Sequence, residues 1–323
     1  MPSQTHTRGD FICPYANWMP GDFKVRPMRA TGEYAVDLHL HSTFSDGLKT
    51  PSELCGQADG LGLTHVALCD HDTVDGLADM AAAVERVRKE RLSRGDGTPF
   101  TLLKGVELSS GRGGRTHLLG YGVNVDDPAL KQCLREADED RRQRAEKMLE
   151  LLAAQGIEIS EQLRTVLISP HVGRAHIARA LVQIGAVKTM QQAFEQYLGE
   201  GRSAYVPRKW LETTKAVQIL RNAGEVVVLA HPGRLGMDDP LFHALVEELA
   251  AFGLQGIEVF HPSASRSDVR ALELFARRRG LLVTGGSDYH GDQNTRVRMG
   301  RLPAGWTGVH EDVERLLDAM RCE

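Results

Sequence analysis

The chain has 323 residues, of which 41% are hydrophobic and 25% are charged, and its formal net charge at pH 7 is −4. This length and composition predict an ordinary globular protein with one large domain or two smaller ones. The slightly acidic charge excludes the strong basic field that non-specific nucleic-acid binding requires.

Short apolar runs alternate with helical patterns such as 50–62 and 268–280 over most of the chain. Residues 1–33 show no periodicity, so we expect an N-terminal extension outside the main fold. Most apolar runs are nearly continuous, which is typical of parallel strands covered on both faces. The predicted strands are "YAVDLHLH", "THVALCD", "FTLLKGVEL", "THLLGYGV", "EVVVLAHP", "QGIEVFHP" and "LLVTGGSDYH". About seven strands with interleaved helices predict an α/β fold, either a parallel barrel or a doubly wound sheet.

One long segment, residues 127–204, breaks the alternation because it reads as consecutive helices with no strand between them. Its second helix is expected to open at residues 169–170, and Thr189 is expected to cap its third helix. We expect a small helical subdomain here that lies over the mouth of the barrel. It would divide the barrel into a first part, 34–126, and a second part, 205–323. The mixed-sign run "DEDRRQRAEK" within it predicts an exposed helix face.

Polar side chains gather at the ends of the predicted strands. In α/β folds the loops that follow the carboxyl ends of the strands build the active site. One polar residue at a strand end is weak evidence for an active site, but polar residues occur at seven successive predicted strands. They are His39, His41, Asp70, His71, Asp72, Glu107, His117, His231, Glu258, His261, Asp288 and His290.

The spacing of these residues predicts metal binding. Residues i and i+2 of a strand face the same way, with Cα atoms about 6.5–7 Å apart. His39 and His41 can therefore converge on one ion, and Asp288 and His290 repeat this spacing. Imidazole and carboxylate ligands suit Mn²⁺, Fe²⁺ or Zn²⁺ without selecting among them. Several ions held close together need a bridging carboxylate, for which Glu107 is the natural candidate.

Cysteine usage and hydropathy predict the compartment. The five cysteines are scattered without a CxxC pair, which is typical of a reducing environment. We find no run of about 18 apolar residues that would predict a membrane span. The amino terminus also lacks the apolar segment of a secretory signal. We expect a cytoplasmic protein without membrane association.

Five motifs, in chain order, resemble those of the PHP (polymerase and histidinol phosphatase) superfamily. They are "DLHLHSTFSDG", "LCDHDTVDG", "GVELS", "AHPGR" and "GSDYH". The resemblance covers about residues 34–125 and 205–300. It implies a distorted (β/α)₇ barrel with a trinuclear site that cleaves phosphoesters. The cofactors implied are three divalent metal ions per chain, with Mn²⁺ as the first expectation and Fe²⁺ or Zn²⁺ as alternatives.

The resemblance also implies which residues hold each ion. The three sets of ligands are His39, His41, Glu107 and Asp288 for the first metal, Glu107, His117 and His231 for the second, and Asp46, His71 and His290 for the third. A hydroxide that bridges the first two metals would attack phosphorus in line. His261, Asp70 and Asp72 are the candidates for the acid that protonates the leaving group, and Asp70 could instead orient a ligand.

The helical insertion indicates which subgroup of the superfamily the chain resembles. The segments "GRAHIARALVQIGAV" and "YLGEGRSAYVP" are similar to stand-alone bacterial PHP phosphoesterases. Those enzymes remove the 3′-phosphate from 3′,5′-nucleoside bisphosphates such as adenosine 3′,5′-bisphosphate, and some trim short RNA from the 5′ end. The implied partners are a small nucleotide substrate and short RNA, with no stable protein partner. Residues expected to bind the substrate are Arg174, His176, Tyr205 and Arg234.

Three other functions stay open at this point. A histidinol-phosphate phosphatase would share the metal motifs, although such enzymes usually lack this insertion. A catalytically silent PHP domain that binds metal and nucleotide is disfavoured because all the motif ligands are present. An amidohydrolase-like C–N hydrolase also uses two histidines on one strand, but it typically needs a carboxylated lysine or a carboxylate bridge. The only lysine near a strand end is Lys104.

Overall fold

The computed structural model describes residues 36–160, 163, 171–209, 211–224, 226–235, 239–291, 297–303 and 309–321. The predicted N-terminal extension, 1–33, and the predicted helix start at 169–170 lie outside these residues. None of the described helices is both long and apolar enough to cross a membrane.

A single sheet forms the centre of the fold. Within the described residues its seven strands are β1 (Val36–Leu40), β2 (His65–Leu68), β3 (Thr101–Ser110), β4 (Thr116–Tyr121), β5 (Val226–Leu229), β6 (Gly256–Phe260) and β7 (Leu282–Gly285). Their order in the sheet follows their order in the chain. β1, β2, β3, β5, β6 and β7 run in one direction, and the pairs among them are parallel.

Helices surround the sheet in the alternation that the sequence predicts. The described helices are α1 (Pro51–Gly60), α2 (Leu77–Ser93), α3 (Pro128–Ala153), α4 (Arg174–Gln183), α5 (Met190–Ala193), α6 (Thr213–Asn222), α7 (Asp239–Ala251), α8 (Arg266–Arg278) and α9 (Val309–Arg321). Capping residues in the sequence determine where several of these helices begin. Thr50 and Glu53 form a capping box ahead of α1, and Ser265 and Asp268 form another ahead of α8.

The strand β4 departs from the parallel pattern expected of the apolar runs, and for this strand that expectation is wrong. β4 is antiparallel to both β3 and β5. A short glycine-rich turn joins β3 to β4, with positive φ at Gly111, Gly113 and Gly114, so the chain reverses without a crossover helix. The amino end of β4 therefore lies beside the carboxyl end of β3, where Ser109 pairs with His117.

The sheet curls until its first and last strands meet. Leu40 pairs with Tyr289 just beyond β7, and the His41 amide donates to the Tyr289 carbonyl at 3.1 Å. A Cβ at Gly286 would lie 2.2 Å from the Cβ of His39, so only glycine allows this approach. The result confirms the predicted distorted (β/α)₇ barrel, whose strand ends surround one mouth.

The helices α3, α4 and α5 have a hydrophobic cluster of their own. Its buried members include Leu149, Leu152, Ile177, Leu181 and Leu198. No strand lies among the described residues of 127–204. α4 begins at Arg174, after Gly173, and the Thr189 side chain accepts from the Gln192 amide at 3.2 Å at the start of α5.

Candidate metal centre

Metal-ligating side chains converge at the mouth of the barrel. Among the described residues, the side chains form three groups, and within each group the donor atoms all lie within 4.8 Å of one another. The groups are His39, His41, Glu107 and Asp288, then His41, Asp46, His71 and His290, and finally His71, Glu107 and His117. His231 joins them because its Nε2 lies 2.9 Å from Glu107 Oε1. The structure thus brings together all nine residues predicted as ligands.

Glu107 lies at the middle of this cluster and is fully buried. Its Oε2 is 3.3 Å from the Nε2 atoms of both His39 and His41. Its Oε1 is 2.7 Å from Nδ1 of His117 and 2.9 Å from Nε2 of His231. Oε2 also lies 2.8 Å from His71 Nδ1, so the two oxygens face different sets of histidines, an arrangement that would suit a carboxylate shared between ions. Antiparallel β4 makes this possible, since it delivers His117 from its amino end.

Asp46 reaches the cluster from the loop that follows β1. Its Oδ1 is 3.0 Å from His290 Nε2 and 3.9 Å from His71 Nε2. Backbone crowding shapes this loop, because a Cβ at Gly47 would lie 2.4 Å from the His41 carbonyl oxygen. Asp46, His71 and His290, which the sequence predicts as the third set of ligands, thus lie close together.

Unpaired polar atoms show that this cluster suits divalent cations. Buried side-chain atoms without a hydrogen-bond partner in the described part of the chain include His39 Nε2, both ring nitrogens of His41, Asp46 Oδ1, His71 Nδ1, Glu107 Oε2 and His231 Nδ1. Each such atom costs about 1–3 kcal/mol when nothing satisfies it. Imidazole and carboxylate donors turned inward in this way match the ligand set of Mn²⁺, Fe²⁺ and Zn²⁺.

Hydrogen bonds fix which ring nitrogen of two histidines is free to bind a metal. His290 Nδ1 lies 2.8 Å from the Asp288 carbonyl oxygen, and His117 Nε2 lies 3.1 Å from the Gly114 carbonyl oxygen. A carbonyl oxygen can only accept, so these nitrogens carry the protons. In the neutral rings, the opposite nitrogens, which face Asp46 and Glu107, are the ones able to ligate a metal.

Glu258 is a functional residue that sequence analysis placed beside the site without giving it a role. Its Oε1 lies 2.9 Å from His39 Nδ1, and its Oε2 accepts from the His231 amide at 2.8 Å. Burial raises its pKa, but His39, His261 and His231 together lower the pKa below its usual value, so the carboxylate stays ionised. The signal in the sequence is a glutamate inside the apolar strand "GIEVF".

Replacing Glu258 by glutamine is expected to weaken metal binding about 10-fold to 100-fold, because the carboxylate that orients His39 is lost. Titration of the metal-free protein with Mn²⁺ measures this directly. The matched control is Glu247→Gln, which removes an exposed carboxylate that pairs with Arg279. Equal affinities in the two variants would contradict the orienting role of Glu258.

Asp70 and Asp72, two of the three acid candidates, are held by other groups. Asp70 accepts from the Ser42 amide at 2.7 Å and from the Ser42 and Ser45 hydroxyls at 2.6 Å each. Burial would raise the pKa of Asp72, but Arg208 and Arg141 outweigh it and hold that pKa far below its usual value. Asp70 is therefore placed to shape the loop that carries Asp46, and Asp72 is an ionised counter-ion.

His261 is the acid candidate whose proton faces the cluster. The Ser263 amide donates to its Nδ1 at 3.1 Å, so in the neutral ring the proton lies on Nε2. Nε2 is buried without a hydrogen bond among the described residues and lies 3.5 Å from Asp288 Oδ2.

Three of the four predicted substrate-binding residues line one cavity beside the cluster. Arg174, Tyr205 and Arg234 contribute to its wall, and its volume is about 410 Å³. The Arg174 guanidinium lies 5.9 Å from the Tyr205 ring centre, and Arg234 Nη1 lies 2.8 Å from Asp288 Oδ2. His176 is not among the residues that line the cavity. Its Nδ1 accepts from the Gly173 amide at 3.1 Å at the start of α4.

The helical insertion also supplies arginines that the sequence did not single out. Arg141 of α3 pairs with Asp72, and Arg179 of α4 donates to the Asp46 carbonyl oxygen. The prediction that "DEDRRQRAEK" is an exposed face is wrong for Arg141, whose side chain is only 11% exposed. Helix periodicity also turns Asp140, Arg144 and Ala145 inward, while residues 142, 143, 146 and 147 stay exposed.

A barrel whose mouth collects six histidines and three carboxylates is the architecture of a metal-dependent hydrolase. The model of the PHP domain family matches residues 37–198. The chain therefore belongs to the PHP domain family, which confirms the assignment made from the five motifs.

Known relatives agree with this assignment. A Chromobacterium violaceum protein named 3′,5′-nucleoside bisphosphate phosphatase is 39% identical over 258 residues, which cover 79% of this chain and 87% of that protein. A Haemophilus influenzae protein named 5′-3′ exoribonuclease is 32% identical over 285 residues, covering 88% and 96%. A solved Chromobacterium violaceum structure, described as an amidohydrolase with bound sulfate and no metal, has a TM-score of 0.76 at 35% identity and covers 88% and 96%.

Proposed function

We propose that the protein hydrolyses the 3′-phosphate of 3′,5′-nucleoside bisphosphates such as adenosine 3′,5′-bisphosphate, and that it also trims short RNA from the 5′ end. The convergence of nine ligating side chains around buried Glu107 carries this proposal. The relatives named as a bisphosphate phosphatase and an exoribonuclease support the substrate class.

The residues present fit three divalent ions, and Mn²⁺ is the ion we propose. The ligands proposed are His39, His41, Glu107 and Asp288 for one ion, Glu107, His117 and His231 for a second, and Asp46, His71 and His290 for a third. When bound, such ions lower the pKa of water to about 7 and offset the charge of phosphoryl oxygens. The chain itself orients the ligands through Glu258 and the backbone carbonyl groups of Gly114 and Asp288.

His261 is the residue proposed to protonate the leaving 3′-oxygen. Its Nε2 proton points toward Asp288, and Ser263 holds the opposite ring nitrogen. Asp72, as an ionised partner of Arg141 and Arg208, has no proton to give. Burial raises the pKa of Asp70, but its oxygens are engaged by hydrogen bonds from Ser42 and Ser45, which belong to the loop that carries Asp46.

The basic cavity beside the cluster suits the remainder of a nucleotide. It is lined by Arg115, Arg174 and Arg234 against a single carboxylate, Glu200, among its described lining residues. A volume of about 410 Å³ lies within the range of small-molecule sites. Guanidinium groups there can pair with a 5′-phosphate while the 3′-phosphate lies at the cluster.

Two alternative functions are less well supported. Histidinol phosphate carries one phosphate and would leave the basic cavity without an anion to bind. A C–N hydrolase with a carboxylated lysine would need a lysine inside the mouth, but Lys104 is exposed on β3. The free thiols of Cys55, Cys69 and Cys133 remain compatible with the cytoplasmic location that the sequence predicts.

A phosphate-release screen of the Mn²⁺-loaded protein tests the substrate class. The substrates compared are adenosine 3′,5′-bisphosphate, histidinol phosphate and a short 5′-phosphorylated RNA. We expect rapid release from the bisphosphate and little from histidinol phosphate. Turnover of histidinol phosphate alone would overturn the proposal, and nucleotide binding without any release would favour a silent binding domain.

Replacing Arg174 by alanine is expected to raise KM for the bisphosphate about 10-fold or more, because a charge-assisted contact to a phosphate is lost. Metal content should stay at the wild-type level, since Arg174 belongs to none of the ligand groups. Steady-state kinetics and elemental analysis of the same sample measure both quantities. An unchanged KM would remove Arg174 from the substrate site.

A further inference from the structure

Asp72 is fixed in an unusual conformation directly after His71. Its φ is +53°, in the left-handed region that residues other than glycine seldom adopt. The Ser109 amide donates to its Oδ1 at 2.8 Å, and the Ser109 hydroxyl donates to its Oδ2 at 3.0 Å. A residue in such a strained conformation persists only where surrounding contacts hold it, and such residues cluster at active sites and ligand-binding sites. Here it aims one carboxylate at the gap between the barrel and the helical insertion.

Two arginines from outside the barrel meet this carboxylate. Arg208, on the segment that returns from the insertion, donates from Nη2 to Asp72 Oδ2 at 2.9 Å, and Arg141 of α3 pairs with the same oxygen. Both side chains are largely buried, with 11% of Arg141 and 12% of Arg208 exposed. One carboxylate therefore faces two guanidinium groups, and Asp46 and Asp138 are the further carboxylates that act on Arg141.

Arg141 also has a hydrogen-bond donor to spare. Its Nε is buried and has no hydrogen-bond partner in the part of the chain that the structure describes. A buried cation that exceeds its counter-ions is costly unless an anion completes the set. The cavity that Arg141 lines holds four guanidinium groups, those of Arg141, Arg144, Arg174 and Arg208, against one carboxylate, that of Asp46, among its described lining residues.

The cavity that these arginines line indicates which anion they bind. Arg141 and Arg208 line a cavity of about 180 Å³ together with Asp46, His71 and His117. These three residues come from the second and third ligand groups proposed above. An anion that fills this cavity would touch the metal cluster on one side and the two guanidinium groups on the other.

We propose that Arg141 and Arg208 bind the oxygens of the phosphoryl group that is being hydrolysed, and that Asp72 is the positioning residue that holds both arginines in place. This inference rests on the proposed phosphatase function. The two guanidinium groups supply donors preorganised toward charge on the phosphoryl group, and Asp72 fixes them before the substrate arrives. The insertion thereby supplies, through Arg141, a direct contact to the phosphoryl group that reacts.

Inorganic phosphate, the product of this reaction, is the probe that tests the inference without any nucleotide. Binding of phosphate to the Mn²⁺-loaded protein is measured by calorimetry for wild type, Arg141→Gln and Arg208→Gln. We expect each variant to bind phosphate about 10-fold more weakly or worse, with unchanged metal content. The matched control is Arg142→Gln, the next residue of α3, whose exposed side chain pairs with Glu139.

Asp72→Asn separates positioning from a purely structural role. A positioning residue predicts weaker phosphate binding and a lower kcat at wild-type metal content, and little further loss of phosphate affinity when Arg141→Gln is added. A clamp that only ties the insertion to the barrel would change the melting temperature and leave phosphate affinity unchanged, which would overturn the inference. If wild type releases no phosphate from bisphosphates, the proposed function fails, while phosphate binding still decides the role of the arginines.

Discussion

Replacing Glu107 by glutamine is expected to lower kcat for adenosine 3′,5′-bisphosphate by about 10³-fold or more and to reduce the bound metal. Glu107 Oε2 faces His39, His41 and His71, whereas Oε1 faces His117 and His231, so one substitution would remove a charged ligand from two of the proposed ion sites at once. Glutamine keeps the shape of the side chain and removes its charge. Phosphate-release kinetics and elemental analysis of the purified variant measure the two effects.

The matched control is Glu85→Gln, because Glu85 is exposed on α2 and pairs with Arg88. This variant should retain wild-type kcat and metal content. A Glu107→Gln protein with its full metal complement and near-normal kcat would show that the cluster does not depend on a bridging carboxylate.

His39→Ala and Asp288→Ala are each expected to abolish phosphatase activity and lower the metal content. His39 Nε2 and Asp288 Oδ1 lie 3.7 Å apart, and both contribute to the group that also contains His41 and Glu107. Each substitution removes one ligand from that group, and an ion with fewer ligands binds more weakly. The measurements are turnover of the bisphosphate and metal per chain.

His243→Ala is the control for these two variants, since His243 lies on α7 and stacks on Phe275, outside the three groups. It tests whether the loss of any histidine disturbs activity. Near-normal turnover of His39→Ala or Asp288→Ala would refute the assignment of the first ion.

Strand ends were the most predictable part of the site. His39 and His41 share a face because a strand alternates with period two, and Asp288 and His290 repeat that spacing beyond β7. The apolar runs around them predict buried strands, and buried strands in an α/β fold direct their carboxyl ends to one mouth. The family motifs then add Asp46 and His71, which periodicity alone does not assign.

The direction of β4 was not predictable from its apolar pattern. "THLLGYGV" is as continuous as the parallel strands, because β4 is also buried on both faces. Only the glycine-rich turn at 111–114 indicates a reversal, and it does so locally. His117 enters the site for this reason from the start of its strand, whereas the other ligands follow the ends of theirs.

Contacts between residues that lie far apart in the chain determine the parts of the site that could not be predicted from the sequence. Glu258 meets His39 across 219 residues of chain, and Asp72 meets Arg208 across 136. No local pattern encodes which buried carboxylate will find which partner. The three acid candidates look alike in the sequence, and the structure separates them by their partners, since Asp70 and Asp72 are held by hydrogen bonds and His261 directs its Nε2 to the cluster.

We propose that three divalent ions bound at the mouth of the barrel are required for hydrolysis of the 3′-phosphate. Titration of the metal-free protein with Mn²⁺ tests it most directly, with phosphate release from adenosine 3′,5′-bisphosphate and bound metal measured on the same samples. We predict that activity rises until three Mn²⁺ ions are bound per chain, with adenosine 5′-monophosphate as the nucleoside product. Full activity in the metal-free protein, or no release of phosphate at three bound ions, would contradict the proposed function.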